Sequence, residues 1–540
     1  MTQPSSRAKR RKARAQQAEP SAGQRIIPAI APAVRRLRPW HWAAFSILGA
    51  AAVIRLIYPD MKPLHHDEGV NGLFLTTLFR NGYYHYDPSN YHGPTLYYFA
   101  WITTTINSFF YGKEGLSTSA IRLVTALFGV GIVWLMLCLR RQLGDFGSLS
   151  AAALAAVSPG LVFFSRYFIH EILFVFFSLG VVVAVLRFPE TQRPRYLMLA
   201  SLSAALLCAT KETWVITVAV WLIAIPCTRI YLRLRRIPEE SAALRVRREY
   251  ASSTQGAASG KRDWSTLQLY ATAALLFVAV WVLFYSSFFT NFPQGVYDSV
   301  RTFGYWFKTS SSAHTYGPDQ YLTWLRKAET SVLILGALGV ITALVQATNR
   351  FAVFAAFWSL GILSAYSLVH YKTPWLALNI VLPFILAAGY GLEQLYRWRR
   401  PLGVMVATIA VGVCLYQAIY VSFFHYDDDT QAYVYAHTRR EFLSLVNEID
   451  SIAAGNPAGK DIGITVMSPE HWPLPWYLRD YKNAGYWGQV TDSSEPILVV
   501  REDQVAEVDR RLGNRYRQIG SYDLRPGVRL YLYLRKDVQR

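Results

Sequence analysis

Residues 95–111 read Thr95-Leu96-Tyr97-Tyr98-Phe99-Ala100-Trp101-Ile102-Thr103-Thr104-Thr105-Ile106-Asn107-Ser108-Phe109-Phe110-Tyr111, an apolar run dense in Tyr, Thr and Trp. Whether it crosses a membrane decides the sidedness of everything that follows. Around it lie about eleven runs suited to crossing ~30 Å of hydrocarbon, two of them short: residues 40–58, 120–139, 148–164, 172–186, 196–209, 213–230, 267–289, 331–345, 351–369, 375–392 and 403–424. If 95–111 lies in the interface, the basic connections at 140–141, 187–195, 229–262, 350 and 397–400 all share one face. Counted as a span, it sends most of them to the other side. Lys and Arg accumulate in cytoplasmic loops, so 95–111 is read as a lateral or re-entrant helix and the N-terminus as cytoplasmic.

The expected fold is mainly α: a polytopic membrane protein with about eleven transmembrane helices, an interfacial helix in the first external loop and a small C-terminal α/β domain. Residues 1–39, with the run Arg7-Ala8-Lys9-Arg10-Arg11-Lys12, read as a disordered basic cytoplasmic tail. Residues 40–425 form the transmembrane domain, with a first external loop 59–119, a cytoplasmic basic loop 229–264 and an external loop 290–330. Residues 426–540 follow as an external domain. Its pattern predicts helices over 433–452, 476–481 and 504–512 and strands over 462–467, 496–500, 516–522 and 528–535. No glycine-rich phosphate loop occurs there.

Composition agrees. Of 540 residues 52% are hydrophobic and 15% aromatic, and the mean hydropathy is positive, which suits neither one soluble domain nor a disordered chain. The net charge of +20 sits in short blocks, so it orients the chain in a lipid bilayer and implies no nucleic-acid partner. Cys138, Cys208, Cys227 and Cys414 all fall in apolar runs and form no disulfide or zinc pattern.

Every motif with chemical potential falls in the predicted external loops 59–119, 165–171, 210–212, 290–330 and 370–373. In His65-His66-Asp67-Glu68-Gly69, two carboxylates offer a general base and a positioning partner; equally, Asp67 would cap a helix over 68–80 and Glu68 favour its dipole. His92-Gly93-Pro94-Thr95 opens the lateral helix, where Pro suits the first position. Arg166, His170 and Glu171 share one tight loop, Lys211 and Glu212 the next, and Tyr371 and Lys372 a fourth. His65, His66, Asp67 and Glu68 are metal-ligand types, so a divalent cation is open, but adjacent positions rarely converge on one ion without a distant partner. Such a layer suits a phosphorylated, lipid-linked polyhydroxyl substrate: a carboxylate accepts an acceptor's hydroxyl proton while cations stabilise a departing phosphate.

Asp67-Glu68, His92-Gly93-Pro94-Thr95-Leu96, Arg122, and Ser165-Arg166 with Glu171 together resemble the polyprenyl-phosphate-sugar glycosyltransferases of the GT-C fold. These include the protein O-mannosyltransferases and the lipid A aminoarabinose transferases. The likeness is good over roughly residues 40–221. His66-Asp67-Glu68-Gly69, Tyr371-Lys372-Thr373-Pro374-Trp375-Leu376 and Trp472-Pro473-Leu474-Pro475-Trp476-Tyr477-Leu478-Arg479 resemble the flippase activity-associated membrane family more closely.

The resemblance implies a hexosyltransferase of the plasma membrane. Its partners would be a polyprenyl-phosphate-linked sugar donor and a glycan, lipid or protein acceptor on the external face. It implies catalytic roles for Asp67, Glu68 and Glu171, a donor-phosphate role for Arg166, Lys211 and Lys372, and supporting roles for His92, Arg122, His170, Glu212 and Tyr371, with no metal assigned. Gly93 and Thr95 depart from the family's His-Pro-Pro-Leu pattern, and Glu171 stands where many members carry Asp, which touches acceptor-side geometry. The rival readings are a lipid-linked glycan flippase or transporter component, and a non-catalytic scaffold. Transporters place ionisable groups at the bilayer midplane, whereas here charge collects at the ends of the spans. A scaffold predicts that Asp67 and Arg166 do not share a cavity.

Overall fold

The computed structural model describes residues 38–90, 92–235, 266–309 and 314–539. The basic tail expected over 1–39 and the basic loop expected over 229–264 fall mostly outside the described residues. The described residues from 47 onward form one compact unit.

All eleven apolar runs are helical: Pro39–Leu56, Thr118–Cys138, Asp145–Val157 continued by Pro159–Ser165, Glu171–Thr191, Pro194–Cys208, Trp214–Leu234, Thr266–Tyr285, Thr330–Gln346, Arg350–Leu368, Leu378–Trp398 and Arg400–Ile419. Among the described residues seven helices are long and apolar enough to cross a membrane, or up to nine if each bent pair is one span; Pro194–Cys208 is apolar but shorter. The protein is a multi-pass membrane protein.

The two bends have local causes. Asp145–Val157 turns by 52° into Pro159–Ser165 where Ser158 caps the second piece and Pro159 supplies its first residue. Gln320–Ala328 turns by 114° into Thr330–Gln346 at Glu329. The Glu329 carboxylate accepts the Ser158 hydroxyl and the Gly160 amide, each at 2.7 Å, so one buried acid ties both breaks together. The most apolar stretch of Pro374–Trp398 has 94% of its residues buried against 6% for that of Thr266–Tyr285, which makes the first the central helix and the second peripheral. Gly339 admits this central helix: a Cβ there would stand 2.0 Å from the Ala387 carbonyl oxygen, the close approach that small residues permit between membrane helices.

Thr95–Tyr111 is a helix and is not among the candidate spans. It buries Leu96, Tyr97, Ala100 and Thr104 and exposes Trp101, Ile102, Ile106, Phe109 and Phe110, so one face is packed and the other is apolar and open. Before it, His66–Asn81 begins with a capping box in which His65, not Asp67, is the N-cap. The expectation that Asp67 caps this helix is corrected: the His65 ring accepts the Asp67 amide and the Glu68 carboxylate accepts the His65 amide.

The C-terminal residues fold as a mixed five-stranded sheet in the order β2-β1-β3-β5-β4, with β1 Ile464–Val466, β2 Ala484–Tyr486, β3 Ile497–Arg501, β4 Tyr516–Arg525 and β5 Val528–Arg535. β1 runs parallel to β2 and β3, and β5 antiparallel to β3 and β4. Helix Phe442–Gly455 buries Phe442, Leu445, Ile449 and Ile452 in the core beside this sheet. Three details differ from the sequence pattern. The helix expected over 476–481 is a single turn, Leu474–Tyr477. The strand β2 is too short to show alternation. The helix expected from 433 starts only at Phe442, because Tyr435 and Thr438 are held by the first loop: His65 Nε2 meets the Tyr435 carbonyl at 3.1 Å and the Thr438 hydroxyl donates to the Leu64 carbonyl at 2.6 Å.

Candidate active site

A cavity of about 460 Å³ is lined by Asp67, His92, Glu171, Lys211, Trp306 and Tyr371, among others. Each of these comes from one of the five loops that the charge pattern put on one face, the first loop giving two. His65, His66, His170, Glu212 and His314 also reach it, and Tyr435 and Arg525 join from beyond the membrane helices.

Asp67 sits in the first turn of His66–Asn81, with its side chain 41% exposed and His65 Nδ1 3.9 Å from its carboxylate. Burial disfavours the charged form of the neighbouring histidines. Burial lowers the His65 pKa; its Nδ1 is occupied by the Asp67 amide, so Nε2 carries the proton toward Tyr435. Burial pushes His66 down to about 4, and Arg525 Nη1 stands 3.5 Å from its Nδ1. Burial likewise holds His170 well below its ordinary value, while its Nε2 faces the Gly93 carbonyl at 3.0 Å.

Across the cavity, His92-Gly93-Pro94-Thr95 docks edge-on against Ala209–Glu212. The Gly93 amide donates to the Thr210 carbonyl at 3.0 Å and the Thr95 hydroxyl to the Thr210 hydroxyl at 2.8 Å. A Cβ on Gly93 would lie 2.0 Å from the Ala209 oxygen, so glycine is required by this backbone approach. The docking sets His92 Nδ1 3.0 Å from Glu212, and Lys211 makes a buried ion pair with Glu171. An acid and a base thus share this wall with their charges matched.

Four expected residues stand elsewhere. Glu68 is fully buried and grips Arg122 with two hydrogen bonds of 2.8 Å, and its carboxylate also accepts the Phe168 amide at 2.8 Å. Arg122 completes its fork on the carbonyls of Pro59, Lys62 and Pro63. Burial alone would raise the Glu68 pKa; the Arg122 guanidinium outweighs it and holds the group below the ordinary carboxylate value. Glu68 and Arg122 therefore clamp the first loop and do not face the cavity. Arg166 donates to the carbonyls of Ile57 at 2.6 Å and Tyr58 at 2.8 Å, at the end of Pro39–Leu56. Lys372 donates to the Ser367 carbonyl at 3.0 Å and to that of Val369, at the end of Arg350–Leu368. Orphan carbonyls of a helix C-terminus attract cations, and these two side chains are used there instead of at the cavity.

Arg525 is the cation that sequence reading missed. It ends β4, pairs with Glu470, stands beside the His66 ring and lines the cavity with Asp67. Its sequence neighbourhood, Leu524-Arg525-Pro526-Gly527, reads only as a hairpin turn. The scaffold test is answered in part: Asp67 and Arg166 do not share the cavity, but Asp67, Lys211 and Arg525 do. Among the described residues no group of three or more His, Cys, Asp or Glu is placed to hold a metal ion.

Residues 91–239 match the family model described as dolichyl-phosphate-mannose-protein mannosyltransferase. No curated protein sequence matches the chain. Among solved structures, ArnT from Cupriavidus metallidurans in the apo state aligns at TM-score 0.62 and 13% identity, over 91% of this chain and 97% of that one. ArnT from the same organism bound to undecaprenyl phosphate aligns at TM-score 0.61 and 14% identity, over 93% and 100%. The likeness to the flippase activity-associated family is not confirmed by these matches. The expectation drawn from the motifs is met at the level of the class: the chain has the GT-C fold of ArnT along nearly its whole length, and over residues 91–239 it matches the model of a GT-C mannosyltransferase family.

Proposed function

We propose that this protein is a glycosyltransferase that moves a sugar from a polyprenyl-phosphate donor to an acceptor hydroxyl on the external face of the plasma membrane, with Asp67 as the base. The observation that carries this reading is the half-exposed Asp67 carboxylate, in one cavity with the Lys211–Glu171 pair and Arg525. Asp67 takes the acceptor's hydroxyl proton, the acceptor oxygen bonds to the anomeric carbon, and the bond from that carbon to the phosphate oxygen breaks. Lys211 and Arg525 stabilise the charge that collects on the polyprenyl phosphate: Lys211 in the role expected of it, Arg525 in place of Arg166 and Lys372. Direct displacement inverts the anomeric centre. His92, Glu212 and Glu171 hold Lys211 in place, and His170 and Tyr371 complete the wall. Residues 1–39 and 229–264 are cytoplasmic in this reading, and 426–540 external.

The test is Asp67→Asn, assayed in membranes with labelled sugars on polyprenyl phosphate. Loss of about 10²-fold or more in kcat is expected, at unchanged expression and melting temperature. Transfer at the wild-type rate would sink the assignment of the base. The separation of Asp67 from Arg166 is the one observation on the side of a non-catalytic scaffold, and a donor screen without any transfer would favour that reading.

A further inference from the structure

Beside the main cavity lies a second hollow of about 170 Å³, lined by Tyr316, Gln320, Trp324, Asp429, Gln431 and Tyr435 among others. It is smaller than the ~300 Å³ at the low end of drug-sized sites, a volume for a single ring. Tyr435 belongs to both walls. Its hydroxyl is 2.6 Å from His314 Nδ1, and its ring lies 6.3 Å from that of Trp375, another lining residue of the main cavity. Tyr435 is thus a lining residue common to the two spaces.

The lining has a definite chemistry. Trp324 stands edge-on to Tyr316 at 5.6 Å, and both rings line the hollow. Gln320, Thr323, Thr430 and Gln431 supply amide and hydroxyl groups around them, Lys327 adds an ammonium, and Asp429 adds a carboxylate that pairs with Arg439 at 3.4 Å. Flat rings that take C–H faces, ringed by groups that both donate and accept hydrogen bonds, match a sugar ring with neighbouring hydroxyls. An acyl chain would strand these polar groups without partners.

We propose that this hollow is an acceptor subsite for a neutral saccharide, so that the acceptor is a glycan whose reacting hydroxyl reaches Asp67 while the adjoining ring rests against Tyr435. The inference rests on the glycosyltransferase reading and deepens it by naming the acceptor class.

The test uses the full-length protein in lipid nanodiscs with fluorescently labelled linear di- to tetrasaccharides of mannose, glucose, galactose and arabinose. At least one is expected to bind, and Gln320→Ala and Asp429→Ala are expected to weaken it about ten-fold each. In transfer assays the same substitutions should raise the acceptor KM about ten-fold more than they change kcat. Both positions are at least partly exposed, and unchanged melting temperatures exclude a folding defect. The proposal is overturned if no saccharide binds, if binding is the same in both variants, or if a peptide or lipid acceptor is used with equal KM in wild type and variants. Saccharide binding weakened by the two substitutions, with transfer persisting in Asp67→Asn, would support the subsite while removing the base assignment.

Discussion

Asp67 and Glu68 are adjacent in sequence and opposite in circumstance. Glu68 makes a buried bidentate pair with Arg122, and removing one partner of such a pair leaves an uncompensated charge. Arg122→Ala is therefore expected to cost about 3–5 kcal/mol in stability, read as a large fall in melting temperature, whereas Asp67→Asn should leave melting unchanged and abolish transfer. The pH dependence follows from the same loop. Glu68 titrates below its ordinary value, so its stabilisation is present above the ordinary carboxylate range and is lost as pH falls below it. His65 is also lowered and His66 is lowered to about 4; groups with a depressed folded pKa favour the fold above their unfolded value and lose that contribution on acidification. Thermal stability should thus fall between pH 6.5 and about 4, and His66→Gln should flatten that part of the profile. A profile unchanged by the substitution would remove His66 as its source.

The helix ends explain why cations expected at the phosphate stand elsewhere. Arg166 serves four carbonyls, those of Ile54, Arg55, Ile57 and Tyr58, and lies 4.4 Å over the Phe423 ring. Arg166→Ala is accordingly expected to destabilise the protein by about 1–3 kcal/mol without a specific rise in donor KM. A donor KM defect at unchanged stability would return Arg166 to the substrate. The strand-like approach of His92–Thr95 to Ala209–Glu212 makes the complementary case. Gly93→Ala puts a Cβ against backbone rather than a movable side chain, so the loops must part and carry His92 away from Glu212. Activity should fall more than stability, because the two loops set the Lys211 wall.

The C-terminal domain is seated on the first loop by shape as much as by bonding. A Cβ on Gly69 would meet Pro473 at 2.7 Å and one on Gly72 would meet Trp476 at 2.5 Å, so helix His66–Asn81 presents a groove to the Trp472–Trp476 turn. The Leu64 amide donates to the Tyr477 hydroxyl at 2.9 Å, and Arg479 to the Leu116 carbonyl at 2.8 Å. Seating in this way brings Arg525 to the cavity. Gly72→Leu is expected to unseat the domain, giving new proteolytic cleavage between residues 425 and 441 and loss of transfer. Arg525→Ala should keep the domain seated and raise donor KM by about ten-fold or more, since charge-assisted contacts to phosphate are strong. A protease pattern for Gly72→Leu identical to wild type would show that the groove does not hold the domain.

Hydropathy and the placement of Lys and Arg were enough to find the eleven helical runs and the loops that meet at the cavity, because burial in lipid and charge retention on one side act on each segment separately. Asp67, Lys211 and His92 were legible for the same reason: they are polar residues in the connections between spans. The roles of Glu68, Arg166 and Lys372 were not legible. A buried carboxylate or a cation at a helix end is committed by whichever carbonyls and guanidinium groups lie within 3 Å or so, and sequence does not carry that distance. Arg525 shows the same limit from the other side. It lies far along the chain from Asp67, in a turn with no motif, and only the docking of Trp472 and Trp476 on two glycines brings it to the site.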